Sequence, residues 1–512
     1  MTTATVSLRR RVSGDRTVPW AGAGRLVTLE SRRNVTRFLL PLFAVLFWFD
    51  TYRTGTGYPA LWGLRTQDLI LHHMLPDLVP FLAGAAAWTA AREGRRHTAD
   101  LVEATARPGW ARQSAALAAV VGWAMAAYLV CVGVVLWSTA AHATWGGPPL
   151  WPVIVGAAEV AAVCTVGFSI GSFLPGRLIV PLTVLGIFFV QLVGFKFADS
   201  GNSPYALLSP TTRVPPIDIG VFYAYLPDLS IAQTMFLAGV AIAAAGVLGM
   251  PAGSGGRRLR RAAAVTTVAG LAVAATAVGL AGTAEQGAQG VIIPALHDSA
   301  SDRPVPYTPA CGQAAGVPVC VHPAFSFYLP EVTAAVRRVL AEVAGLPGVS
   351  ARLSQAPTSC VRIASLGCGF GHPAATIGGS PAVLSFTIPT TPGAPGVGQG
   401  VSGEDLSLFE QQTRAVVTTA LTGGGLSDDG ALSGAPAQQA IAAAMLQAAG
   451  VPVITPAQAQ ADDTGIAGPP PGSPSYLAFK RFAALPAVAR RAWLAAHLDA
   501  LRAGRVTLNE LP

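Results

Sequence analysis

Seven apolar stretches divide the first 282 residues, and the segments between them alternate between arginine-rich and arginine-poor. The stretches are 38–52, 74–91, 114–138, 151–173, 178–197, 230–250 and 262–282. A bilayer core of about 30 Å needs about 20 apolar residues per helical crossing. The inner segments expected from this pattern hold 8, 5, 1 and 4 Lys and Arg, and the intervening outer loops hold 2, 0 and 2, counting Lys196 at the outer end of the fifth stretch. Basic residues stay on the cytoplasmic side of a membrane. The pattern therefore predicts a cytoplasmic N-terminus, seven crossings, and residues 283–512 outside.

Composition agrees. The chain has 512 residues, of which 52% are hydrophobic and 12% charged, where a soluble domain carries about 25% charged residues. Mean hydropathy is +0.49. Residues 1–282 hold 22 Lys and Arg against 12 Asp and Glu, while residues 283–512 hold 12 against 14. The basic excess belongs to segments flanking the membrane and calls for no nucleic-acid partner. Residues 1–37 are too long and too polar before the first apolar stretch to be a cleaved signal, so the first crossing is expected to act as its own insertion signal.

Residues 1–23 read as a disordered cytoplasmic segment. Residues 24–37 mix Leu26, Val27, Leu29 and Val35 with Arg25, Glu30, Arg32, Arg33 and Arg37. That mixture predicts a short amphipathic helix in the membrane interface, or an extension of the first crossing. The outer loop after that crossing is expected to run from 53 to 73, with His72 and His73 at the interface. The segment between the second and third crossings carries Arg92, Arg95, Arg96, Arg107 and Arg112. Its middle, Thr98 to Ala106, predicts a short polar helix in which Leu101 and Val102 face apolar surface and Asp100 and Glu103 face water or a partner. It suits a soluble partner; the plainer reading is a solvated loop that only fixes topology.

Cys131 and Cys164 lie in apolar stretches and read as small core residues. Cys311, Cys320, Cys360 and Cys368 all follow the last apolar stretch, nine and eight residues apart in pairs. Their clustering predicts disulfides in an oxidising compartment; proximity alone favours Cys311–Cys320 and Cys360–Cys368 among three connectivities. A zinc site is the rival, without CxxC or paired histidines to support it. After a linker, 283–310, residues 311–512 predict a mixed α/β domain. In it 316–321 and 382–388 read as strands, and 329–346, 404–421, 435–449, 476–484 and 486–502 as helices. Val332, Val336, Val339, Leu340 and Val343 fall on one helical face.

Sites for chemistry are few. There is no GxxxxGK[ST] phosphate loop, no HExxH and no GxSxG elbow, so neither ATP hydrolysis nor metal-dependent or serine hydrolysis is expected of this chain, and no metal or cofactor is called for. His322, His372 and His497 stand alone in sequence. Glu159 is a carboxylate well inside an apolar stretch, which is costly and hence a functional candidate, or structural glue hydrogen-bonded to a neighbouring helix.

The order of parts, an amphipathic N-terminal helix, a loop of the form Arg-Glu-x-Arg-Arg-x-Thr-x-x-Leu-x-x-Ala-Thr-x-Arg-Pro at 92–108 and a hydrophobic six-crossing core over 24–250, resembles the permease subunits of type-2 ABC exporters. The resemblance implies a coupling helix between the second and third crossings, with Arg95, Arg96, Asp100, Leu101, Glu103 and Arg107 facing a separate ATPase subunit. It implies a homo- or heterodimer formed through the membrane domain. The seventh crossing and the outer domain depart from the usual permease, which ends in the cytoplasm. The expected protein is thus a polytopic α-helical membrane protein of the cell membrane, with a mixed α/β extracytoplasmic domain, and a non-enzymatic permease. A membrane-anchored sensor or an outer-facing hydrolase are the alternatives.

Overall fold

A computed structural model describes residues 20–53, 59–95, 109–199, 209–210, 219–250, 257–287, 290–346, 349, 352–357, 383–388, 403–427, 431–461 and 465–512. The protein is mostly helical, with several long apolar helices that could span a membrane and a small sheet region. Helix α1 is Trp20–Arg33. Helix α2, Thr36–Leu46, runs on into wider π-helical turns at Phe47–Tyr52. Then come α3 (Trp62–Ala90), α4 (Gly109–Ala140), α5 (Trp151–Phe173), α6 (Ile179–Asp199), α7 (Asp228–Leu248) and α8 (Arg257–Ala281). Among the described residues five helices, α3, α4, α5, α7 and α8, are long and apolar enough to cross a membrane. The pair α1–α2, bent by 57°, adds a sixth if counted as one crossing, and Ile179–Gly194 of α6 is a shorter apolar helix.

The sequence reading needs correction at three boundaries. Helix α1 begins at Trp20, inside the segment expected to be disordered, and its 57° bend separates it from the first crossing. The stretch expected as an outer loop up to residue 73 is in its later part helical: α3 starts at Trp62 and passes through a π-helical segment, Asp68–Met74, before Pro76. A proline ring crowds the carbonyl one turn back, and a wider turn there relieves the crowding. The polar residues that made this stretch look like a loop pair with one another. The linker contains a hairpin of β1 (Glu285–Gly287) and β2 (Gly290–Ile292).

Helix α5 is the centre of the bundle. Gly167 and Gly171 lie so close to α3 that an added Cβ would stand 2.3 and 2.2 Å from the carbonyl oxygens of Ala83 and Ala87. Gly156 meets the Tyr128 ring of α4 in the same way. Helix α7 covers another side, where the Ser169 hydroxyl donates to the Ala244 carbonyl at 3.1 Å. Small residues are what let helices approach where lipid and side chains are equally apolar.

Beyond α8 the chain forms a four-stranded sheet ordered β3 (Ala310–Ala314), β4 (Val317–Val321), β5 (Arg352–Gln355), β6 (Val383–Phe386). β3 and β4 are antiparallel, and the other two pairs parallel. The two-residue turn between β3 and β4 uses Ala315 (φ 50°) and Gly316 (φ 80°), the positive-φ pair that matches strand twist. Helices α9 (Leu329–Val343), α10 (Gly403–Thr422), α11 (Pro436–Ala448), α12 (Pro474–Ala484) and α13 (Ala487–Arg502) complete the domain. All five apolar residues expected on the α9 face are fully buried. Leu61, Leu64, Val135, Val221 and Phe222 of the bundle join Val321, Phe325 and Tyr328 in one apolar cluster. The domain therefore sits on the end of the bundle away from Arg92, Arg95 and Arg257.

Candidate functional site

The arginine-bearing end of the bundle is braced on two sides of the 92–108 loop's start. The Arg92 guanidinium donates to both carboxylate oxygens of Glu30 on α1, at 3.1 and 3.2 Å. Both partners are partly buried, so this two-pronged pair is firmer than an ordinary surface ion pair. The Trp123 indole of α4 donates to the Ser31 carbonyl at 3.0 Å, holding α1 from the other side. Gly94 lies against Pro175 in the turn between α5 and α6, where a Cβ would come within 2.4 Å of the proline ring. Arg95, expected to face a partner, is engaged within the chain: its guanidinium lies 3.7 Å over the Trp88 ring and donates to the Trp88 carbonyl at 2.9 Å. Arg96, Asp100, Leu101, Glu103 and Arg107 lie outside the described residues.

Inside the bundle, Glu159 on α5 is buried. Its Oε1 accepts from Gln191 Nε2 of α6 at 3.3 Å. A carboxylate at this depth costs about 2.5–3.5 kcal/mol on insertion scales. A second polar group was missed in the sequence. Asp50 on α2 and Asp68, His72 and His73 on α3 meet between the two π-helical segments. His72 Nδ1 is 2.8 Å from Asp68 Oδ1. His73 stands between two carboxylates, with Nδ1 3.3 Å from Asp50 Oδ2 and Nε2 3.7 Å from Asp68 Oδ2. Its two nitrogens point to different carboxylates, so the arrangement joins α2 to α3 rather than converging on one point. No group of three or more His, Cys, Asp and Glu that could hold a metal ion occurs among the described residues. The signal in the sequence was the spacing Asp68-x-x-x-His72-His73, one helical turn.

The end of the bundle that carries the sheet domain has its own polar joints. Cys311 and Cys320 are directly opposite on β3 and β4 and form a disulfide; Cys360 and Cys368 lie outside the described residues. Cys131 and Cys164 are free and buried. His322 at the end of β4 is boxed by Trp145, Phe222 and Tyr307, with ring centroids 4.5, 5.0 and 4.1 Å away. Its Nδ1 accepts the Ala324 amide at 3.1 Å, so the neutral ring carries its proton on Nε2. Burial pushes this imidazole down to about 4. His297, beyond the β1–β2 hairpin, stands between Asp228 and Asp302, with Nδ1 and Nε2 each 3.2 Å from a carboxylate oxygen. The hydrogen bond to Asp302, helped by the charges of both aspartates, raises its pKa against the opposing effect of burial.

No protein family, curated protein or solved structure matches this chain.

Proposed function

We propose that this chain is the membrane-spanning subunit of an ABC-type exporter, worked by a separate ATPase that seats on the 92–108 loop. The observation that carries this reading is the brace at the loop's start: Glu30 of α1 holds Arg92, while Gly94 packs on the α5–α6 turn. A loop that only fixes topology needs charge and no brace. A loop that receives force from a soluble partner needs its base tied to several helices at once, and this one is tied to α1, α3 and the turn leading into α6. In this reading seven crossings place the arginine-rich end in the cytoplasm of a cell-membrane protein, with 283–512 outside. The Cys311–Cys320 bond suits that side. The subunit works as a homo- or heterodimer through its membrane helices and hydrolyses nothing itself.

One observation favours a second reading, a membrane-anchored sensor. The outer domain shares a continuous apolar cluster with the ends of α3 and α4, the connection a ligand signal would use. Copurification in mild detergent, with identification of the bound proteins, separates the two. An ATP-binding subunit supports the exporter, and a kinase or regulator in its place overturns it. Asp100→Lys with Glu103→Lys is expected to weaken ATPase binding, and Leu101→Asp to weaken it more, because an apolar contact becomes a desolvated charge. A charge reversal at Arg213 and Asp218 is the control. Full ATPase binding and stimulated turnover in the loop variants would also overturn the reading.

A further inference from the structure

The Glu159–Gln191 contact leaves two acceptors without a donor. Glu159 Oε1 takes the Gln191 amide, but Glu159 Oε2 and Gln191 Oε1 are both buried and find no hydrogen-bond partner among the described residues. The Tyr128 hydroxyl, which is close enough to Glu159 to feel its charge, is committed elsewhere: it donates to the Val153 carbonyl at 2.8 Å. A carboxylate oxygen beside an amide oxygen, both bare, in apolar surroundings, is an arrangement that calls for a cation with several N–H groups.

The surroundings say what kind of cation. Around Gln191 the face of α6 is apolar and open: Phe188, Val190 and Leu192 are 54%, 65% and 47% exposed. A ligand arriving there comes through the lipid with an apolar body. A strongly hydrated metal ion would lose its water for only two protein oxygens, whereas a primary ammonium brings three donors and an attached chain.

We propose that Glu159 and Gln191 bind the ammonium group of a lipophilic amine, whose chain lies along α6. This deepens the exporter reading by naming its substrate class, and it rests on that reading only for transport, not for binding. The carboxylate supplies charge and one acceptor, and Gln191 Oε1 supplies a second. Without the ammonium, Gln191 Nε2 is the one donor among the described residues that steadies Glu159.

The test compares three probes of equal chain length on the full chain in nanodiscs, with empty nanodiscs subtracted. Dodecylamine has charge and donors, dodecyltrimethylammonium has charge without donors, and dodecanol has a donor without charge. Dodecylamine is expected to bind saturably, the trimethyl compound more weakly, and dodecanol no better than background. Glu159→Gln keeps the shape of the side chain and is expected to lower dodecylamine affinity at least about tenfold. Gln191→Leu is expected to lower it severalfold, and thermal unfolding reports that both variants are folded. Equal dodecylamine binding by wild type and Glu159→Gln overturns the proposal and makes Glu159 a protonated structural group. So does dodecanol binding as tightly as the amine. None of the three probes needs ATP or a partner, so failure here leaves the exporter reading standing, and absence of an ATPase partner leaves this site standing.

Discussion

Helices α5 and α8 are alike in length and in the hydropathy of their most apolar part, and opposite in situation. Of the most apolar part of α5, 56% is buried, and of α8 only 17%. Helix α5 is enclosed by α3, α4, α6 and α7, and it touches α3 through Gly167 and Gly171. Helix α8 packs chiefly on α7, through one stripe of small residues: Ala263, Thr267, Gly270, Ala274, Ala277 and Ala281 are its buried positions. The matching stripe on α7 includes Ala232, Gly239, Ala243 and Gly246. Where the stripes cross, a Cβ on Gly270 would stand 2.4 Å from the Ala243 amide nitrogen. Both helices pack by removing side chains, because in lipid apolar bulk gains nothing by burial and close approach gains dispersion. The difference is reach. Changing the α5 contact disturbs the whole bundle, whereas changing the α8 contact disturbs only the helix that leads to the sheet domain. The helices packed around α5 and the appended α8 are thus separable in packing.

The largest expected effect follows at α5. Gly171→Leu puts four carbons where Ala87 backbone already stands, forcing α3 and α5 apart. Overpacking of this kind costs about 1–3 kcal/mol and more when backbone is in the way. Thermal unfolding in detergent should fall by several degrees, and Glu30–Arg92 at the end of α3 should loosen with it. Gly270→Leu should leave bundle unfolding nearly unchanged while detaching α8, read as faster hydrogen exchange over 262–281. Equal effects of the two substitutions would dissolve the distinction between core and appended helix.

What the sequence revealed about these helices was their existence and not their packing. Apolar stretches and arginine placement located the long helices within a few residues, apart from the start of α3 at Trp62. The α9 face was legible because valines and leucines recur at helical spacing against polar neighbours. In the bundle no such contrast exists, since lipid-facing and buried positions are both apolar. Only residue size distinguishes them, and the seven-residue spacing of small residues on α8 carried that signal unread. The start of α3 was misplaced because Arg65, Asp68, His72 and His73 suggested water; Asp68 and His72 are one helical turn apart, but the His73–Asp50 and Arg65–Ser138 contacts join residues 23 and 73 apart in sequence. Of the functional groups, Glu159 stood out by its isolation, but its partner Gln191 did not. The brace of Glu30 on Arg92 joins residues 62 apart in sequence, which no spacing rule reaches.

The domain beyond α8 has a fastening of a different kind. The Cys311–Cys320 bond closes a short loop, and a bond of that span is expected to contribute about 2–3 kcal/mol to the domain. Cys311→Ala with Cys320→Ala should lower the unfolding temperature of the sheet domain and leave the bundle's unchanged. Mass mapping of unreduced protein should find these two cysteines linked. His322 makes the joint sensitive to acid. Its imidazole is neutral when folded, held at about 4, while an unfolded histidine takes a proton near 6.5. Between these values the unfolded state binds more protons, so stability is lost as pH falls from about 6.5 toward 4. His322→Phe should flatten that acid limb, and an unchanged limb would mean that the box of Trp145, Phe222 and Tyr307 opens before the domain does.

The smallest effect concerns the clip at His297, the second attachment of the chain that α8 delivers. Asp228 at the start of α7 accepts both the Ile293 amide, at 3.1 Å, and His297 Nδ1, so one buried carboxylate holds the outgoing chain to the bundle. The sign is opposite to that of His322. The folded His297 pKa is raised, chiefly by its hydrogen bond to Asp302. Docking therefore gains fully below the unfolded histidine value and loses that gain as pH rises through the folded one. Hydrogen exchange at the Ile293 amide should be slow at pH 6 and, after correction for intrinsic rate, faster at pH 9. His297→Gln keeps a hydrogen-bonding side chain without the charge and should abolish the difference. Because α8 is held along its length by the Gly270 stripe, this loss should not spread into 262–281. If exchange there also rises with pH, the clip and the stripe are one attachment, and α8 depends on its far end rather than on α7.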